Sequence, residues 1–272
     1  MRSTAKKLLS RVPPLRHALE RRYRRWFATP QATGACLGAW PDFAAARAAV
    51  PRGVHGDYDT PEAATKYADR MGQIESDDYP AVFWLSRALD GGARSVVDFG
   101  GHVGVAWYAW HETLGVDDLR WTVCDVPAVV AEGTRLAKER GHDGLRFTTD
   151  LASAAGADVF LAQGSLQYVE PTLGELLDLA GRPPHLLIHR TPVRASGRTV
   201  WTLQNIGSAI CPYALHSRDE LLAFAASRGY RLVASWHSAR GLHVPFHPEL
   251  GDVAYSGFYL QRDTSAAAEP PA

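Results

Sequence analysis

The hydrophobic positions of this chain fall into short apolar runs, most of them closed by a charged residue or a glycine-rich stop. Residues 95–98, 119–124, 145–148, 158–162 and 185–188 are too short for buried helices and read as buried strands. The runs at 230–236 and 257–261 read the same way, separated by a long loop. Helical stretches lie between them, among them 103–110 and 127–140. Seven strands with interleaved helices, the last two joined without an obvious helix, predict an α/β fold: a mainly parallel sheet with helices on both faces. Ahead of it, residues 31–90 read as a helical cap, with helices near 42–50, 61–73 and 79–90. The sheet domain then covers 91–262, and the Pro/Ala-rich stretch 263–272 reads as a disordered tail.

In such sheets ligands bind beyond the carboxyl ends of the strands, so the residues that close the apolar runs matter most. The first run ends at Asp98, and Gly100, Gly101 and Gly104 follow at once. Glycines between a strand and a helix let a ligand approach backbone N–H groups, although an ordinary strand-to-helix turn has the same make-up. The spacing Asp-x-Gly-Gly-x-x-Gly is not the Gly-x-Gly-x-x-Gly of nicotinamide binders. A carboxylate there would repel a pyrophosphate and suits a cation such as the methionine end of S-adenosylmethionine (SAM). Asp125, at the tip of the next strand, can accept both hydroxyls of a ribose, or can cap the helix that follows. Asp150 stands where an adenine amino group would be read, and Gln163 closes the fourth strand.

Several stretches also carry a resemblance. They are Asp78-Tyr79-Pro80 with Phe83-Trp84-Leu85, Val97-Asp98-Phe99-Gly100-Gly101, Asp125-Val126-Pro127 and Gly164-Ser165-Leu166-Gln167-Tyr168. Arg190-Thr191-Pro192, Thr202-Leu203-Gln204-Asn205-Ile206-Gly207 and Pro212-Tyr213 complete the set. Over 95–261 the chain resembles a class I SAM-dependent methyltransferase. More narrowly it resembles a bacterial methyltransferase family associated with polysaccharide-biosynthesis gene clusters. The resemblance implies a Rossmann-like fold, SAM as cofactor, and O-methylation of a sugar, a glycan precursor or another small polyhydroxylated acceptor. A natural-product methyltransferase is the alternative within enzymes. A non-catalytic protein of the same fold, serving as a membrane-peripheral assembly factor, is the alternative outside them.

Methyl transfer from a sulfonium is an in-line displacement that asks for alignment and, with a hydroxyl acceptor, for a base. His189 closes the fifth strand and is the candidate base; a buried structural histidine is the competing reading. His102, His216 and His237 are further candidates. Arg190 is placed to grip an anionic group of the acceptor, or to pair with a neighbouring carboxylate. Gln167, Tyr168, Gln204, Asn205 and Tyr213 are expected to offer hydrogen bonds to the acceptor, with 191–214 long enough for a lid. Asp57-Tyr58-Asp59 has the Asp-x-Asp form of a metal site, but it precedes Thr60-Pro61, so helix capping explains it better and no metal site is assigned.

Charge changes the picture at one end only. The chain holds 29 basic and 29 acidic residues, so no global field recruits nucleic acid. Yet residues 1–30 carry nine Lys or Arg against one acid, Glu20. After Pro13-Pro14, Leu15, Leu19, Tyr23 and Trp26 recur as one helical stripe. A basic amphipathic helix of this kind lies on an anionic membrane, or packs its stripe on the domain. Three dispersed cysteines, Cys36, Cys124 and Cys211, fit a reducing cytoplasm rather than a disulfide framework.

Overall fold

A computed structural model describes residues 13–66 and 71–262. The tail expected over 263–272 and the start of the basic segment lie outside them. In chain order the elements are α1 (Pro13–Phe27), β1 (Cys36–Trp40), α2 (Phe43–Ala48), α3 (Pro61–Ala64), α4 (Tyr79–Asp90), β2 (Ser95–Phe99) and α5 (Val105–Leu114). They continue with β3 (Arg120–Cys124), α6 (Pro127–Arg140), β4 (Leu145–Thr148), β5 (Val159–Gln163), α7 (Leu173–Leu179) and β6 (His185–Arg194). β7 (Val200–Asn205), β8 (Ile210–Ser217), α8 (Arg218–Ala226), β9 (Tyr230–Leu242) and β10 (Val253–Arg262) close the set.

All seven runs read as strands are strands. β4, β3, β2, β5 and β6 lie side by side and parallel. β10 adds antiparallel to β6, and β9 antiparallel to β10. The expected count of seven is nevertheless too low, because the sheet has ten strands. β1, β7 and β8 form an antiparallel trio joined to the rest where β8 runs beside the far end of β6, with Val193 opposite His216. Two readings are thereby corrected: 31–90 is not wholly helical, and 191–214 is a buried hairpin rather than a lid. Pro192 and Pro212 argue against strands in a sequence, yet both sit within one, and Gly38 breaks the apolar run of β1. The helix expected over 61–73 is seen as Pro61–Ala64, and 67–70 lie outside the described residues.

The central strands of the sheet are buried on both faces. Trp110, Trp121 and Leu85 fill one side beneath α4 and α5, and Phe160, Leu177, Leu186 and Phe258 fill the other beneath α7 and α8. Each such side chain contributes about 1.5–3 kcal/mol through its removal from water. Helix ends follow the local chemistry: Gly115 and Gly141 close α5 and α6 in the left-handed conformation, and Thr172 with Glu175 form a capping box on α7.

α1 docks differently from the stripe its sequence suggests. Phe27 is buried with Leu37, Ala46, Trp201 and Leu203, and Tyr23 donates from its hydroxyl to the Cys36 carbonyl (2.8 Å). Asn205 holds the end of the helix, its amide donating to the carbonyls of Phe27 (2.7 Å) and Thr29 (2.9 Å).

The sheet kinks midway along β6. Ile188 faces Phe258 and Thr191 faces Ser256, so His189 and Arg190 together oppose Gly257. This is a bulge, with Arg190 left-handed at φ 52°. The Trp236 indole lies over Gly257, where an added Cβ would meet it at 2.1 Å. Gly257→Ala is expected to lower stability by about 1–3 kcal/mol, the usual cost of overpacking. Gly241→Ala, whose added carbon would meet nothing nearer than 3.5 Å, should stay within about 0.5 kcal/mol of the parent. Urea unfolding midpoints of the two variants make the comparison.

Candidate functional site

β2 carries Asp98 into the interior at its tip. The carboxylate is fully buried; Oδ2 accepts from the Trp121 indole (3.1 Å), and Oδ1 has no partner among the described residues. Burial, opposed by the indole and reinforced by Asp125, pushes its pKa up to about 7. The glycines serve this arrangement. A Cβ on Gly101 would meet the Asp98 carboxylate at 2.2 Å, and one on Gly100 would meet Ser165 Cβ at 2.3 Å. Gly104 begins α5 at φ 90° against Leu145. The loop is therefore glycine-rich first to fold over Asp98 and against the turn after β5, a reason the sequence reading did not contain.

Asp125 flanks the same loop from β3. Its Oδ2 accepts from the His102 backbone N–H (2.8 Å) and its Oδ1 from that of Val126 (2.7 Å). Burial raises its pKa to about 6 despite both bonds, with Asp59 adding to the rise. Each oxygen keeps a second lone pair. His102 is left-handed (φ 56°), and its Nε2 meets the Ala63 carbonyl at 2.8 Å. The side chain thus ties α3 down onto the glycine loop.

Asp59 caps a helix, but not the one expected. Thr60 caps α3, while Asp59 Oδ1 accepts from Ala128 N–H at the start of α6 (2.9 Å). Tyr58 packs edge-on against Tyr168 (4.9 Å). The cap segment thereby reaches from Asp125 to the turn after β5. Asp150 is exposed and caps the short helical turn at Leu151–Ala154 through Ala152 N–H (3.0 Å). Among the described residues no cluster is placed to hold a metal.

On the other side of the glycine loop, Asp78 is the organising group. It is buried; its Oδ1 accepts from Gln163 Nε2 (3.1 Å) and His189 Nε2 (3.2 Å) and forms an ion pair with Arg190 Nη2 (2.9 Å). The Trp236 indole N–H donates to His189 Nδ1 (3.3 Å). An indole can only donate, so His189 is the neutral tautomer with its proton on Nε2. Burial lowers its pKa further. With both nitrogens engaged inside the protein, His189 is not placed to act as the base; its role is structural.

Arg190 reaches Glu75 (2.9 Å) as well as Asp78, and its Nε is buried without a partner among the described residues. Arg240 joins the same Glu75 oxygen (3.0 Å). Of the five uncharged groups expected at the acceptor, three belong to the interior. Asn205 holds α1, Gln204 accepts from the Tyr168 hydroxyl, and Tyr213 is buried against the Tyr255 hydroxyl (2.9 Å), which with burial drives its pKa well up. Gln167 and Tyr168 stay with the turn after β5; Gln167 Oε1 is buried without a partner among the described residues.

The remaining histidine candidates divide. His216 is bonded to the backbone of Leu166, and burial lowers its pKa to about 4. His237 is exposed, with Nδ1 on Ser256 Oγ (3.0 Å). Sequence reading missed the roles of Trp121, Trp236 and Glu75. For Trp236 a signal was present, since Gly257 in a buried strand marks a close approach.

Neither a family model nor a curated protein matches the chain. Solved structures do. The SAH-bound N-terminal domain of EvdMO1 has a TM-score of 0.50 at 15% identity, covering 72% of this chain and 84% of that one. The two share a fold. A SAM-dependent methyltransferase from Geobacter sulfurreducens in complex with S-adenosyl-L-homocysteine (SAH) is more distant, at TM-score 0.47 and 15% identity over 76% and 99% of the chains. So is the mitomycin 7-O-methyltransferase MmcR, at 0.42 and 20% identity; 68% of this chain is covered, and it spans about half of that one (54%).

The residues at the glycine loop pass a chemical test for SAM. Asp98 offers a buried carboxylate oxygen that no donor among the described residues answers, and each Asp125 oxygen, accepting one backbone N–H, has a second lone pair. The raised pKa values also make a stability prediction. A carboxyl whose folded pKa lies above its unfolded value of about 3.8 is stabilising when protonated, and that contribution is lost as pH rises through the folded value. Histidines whose pKa is lowered act in the opposite sense, so the difference between proteins is the useful quantity. Asp98→Asn should gain on the parent by up to about 1.4 kcal/mol per pH unit between about pH 4 and 7, read from urea unfolding across that range.

Proposed function

We propose that this protein binds SAM at the glycine loop and transfers its methyl group to a small polar acceptor. The observation that carries the reading is the pair of carboxylates on either side of one loop: Asp98, buried with an unanswered oxygen, and Asp125, with lone pairs to spare. SAM, when bound, supplies an electrophilic methyl on a sulfonium. Asp98 would answer its ammonium end, Asp125 its ribose hydroxyls, and Asp150, at the tip of β4, its adenine amino group.

Beyond the loop, Gln163 at the tip of β5, Gln167 in the turn after it and Arg190 at the bulge of β6 stand where the acceptor would lie. The resemblance to the polysaccharide-cluster family supports a sugar-derived hydroxyl there, and the polar groups suit one. A natural-product acceptor fits the same groups. His102, His189 and His216 are each committed to protein partners, so the residues here contribute mainly alignment and exclusion of water. His237, with its ring exposed, is the histidine among these four whose position leaves room for proton transfer.

Calorimetric titration with SAM, SAH, NAD and a nucleotide sugar tests the reading. SAM and SAH should bind and the other two should not. Asp125→Ala should weaken SAH at least about tenfold, since a hydrogen bond to a charged group is worth about 1.5–3 kcal/mol. Well-folded protein that binds neither SAM nor SAH would refute the proposal. If both bind, methyl release from labelled SAM onto sugar hydroxyls, compared with phenolic acceptors, sorts the acceptor classes.

A further inference from the structure

We propose that the outward side of α1 is a docking surface for an anionic lipid bilayer. The inference is independent of the methyl-transfer reading, because none of its residues touches the glycine loop. It begins from a mismatch between sequence and packing. At about 100° per residue, Phe27, Tyr23, Glu20 and Arg16 share one side of the helix, and that side is docked: Phe27 and Tyr23 enter the core, and Arg16 donates to the Phe246 carbonyl (3.0 Å). Leu19 and Trp26 lie beside this face and stay in solvent, 37% and 44% exposed. Two large apolar side chains, two turns apart, are thus only partly covered by the described residues.

What covers them is indicated by the charge around them. Arg22 lies next to the Leu19–Trp26 strip, and Arg25 and Arg21 follow round the helix, all exposed. Among the described residues Arg21, Arg22, Arg24 and Arg25 form no salt bridge, whereas Arg16 pairs with Glu20 (2.8 Å). The sequence immediately before the helix adds Arg2, Lys6, Lys7 and Arg11 with no acid. An exposed Trp and Leu bordered by uncompensated arginines match the layered chemistry of a bilayer surface, where the indole sits at headgroup depth and the guanidiniums meet phosphates. An acidic protein or nucleic acid would use the charges but leave the strip unexplained. No helix among the described residues is long and apolar enough to cross a membrane, so the contact is peripheral.

The test is co-sedimentation of the full chain with phosphatidylcholine vesicles, with and without phosphatidylglycerol. Binding to the anionic vesicles only, weakened by salt, is the expected result. Arg22→Glu with Arg25→Glu should weaken it by at least about 25-fold, at about fivefold for each positive charge removed near the surface. Leu19→Ser with Trp26→Ser should weaken it about tenfold or more while leaving the charge unchanged. All four side chains are exposed, and far-UV circular dichroism verifies that the variants fold. No binding, equal binding to neutral vesicles, or anionic binding that ignores Leu19 and Trp26 would each overturn the proposal. The last outcome, together with retention on DNA, would assign the face to a polyanion instead.

Discussion

One carboxylate oxygen holds together the part of this protein where β5 and β6 meet the segment before α4. Asp78 Oδ1 is buried, accepts from Gln163 and His189 on two neighbouring strands and pairs with Arg190. A buried charge is costly unless it is paired and hydrogen-bonded, so the three donors are bound to it as much as it is to them. From this follow the neutral tautomer of His189, the donation from Trp236, and the seat of that indole over Gly257. The bulge at His189–Arg190 is the backbone's accommodation to the same demand: two consecutive side chains must both turn toward one oxygen, and a regular strand would send them to opposite faces.

The glycine loop is built on the opposite condition. Asp98 is as deeply buried as Asp78 but receives a single indole donor, and its proton affinity is raised accordingly. The fold thus places one well-satisfied carboxylate and one under-satisfied carboxylate beside adjacent strands, β5 and β2. The first makes a rigid wall. The second is an electrostatic debt that a cation would settle, and the glycine loop exists in its present form because Gly101 must lie directly on it.

Much of this was legible in the chain, and the failures have physical causes. Apolar runs with polar stops marked the strands and their tips, because burial on both faces leaves no alternation to blur them. A glycine concealed β1 and a proline concealed β8, and the partners of the antiparallel trio include strands far away in sequence. The positions of Asp98 and Asp125 at strand tips were readable from the runs they close, although Trp121 and His102, which bond them, lie far away in sequence. His189, Asn205 and Tyr213 were not: a polar residue at a strand end faces either a ligand or another segment, and only the arrival of Asp78, Phe27 or Tyr255 decides which. Asp57-Tyr58-Asp59 shows the same limit, because capping was the right chemistry and α6 the helix no local rule could name.

The antiparallel trio has a consequence for how the chain reaches this state. Cys36 of β1 pairs with Gln204 of β7, so the first strand made must wait for one of the last. Closing so long a loop costs entropy before any contact repays it, and pairings of this kind slow folding and leave strand edges open meanwhile. During synthesis, β2 to β6 can assemble from neighbours in sequence, while β1 leaves the ribosome early with its ladder unmet. The short, glycine-interrupted build of β1 then takes on a second meaning: a strand that waits is safer when it is a poor template for any partner but its own.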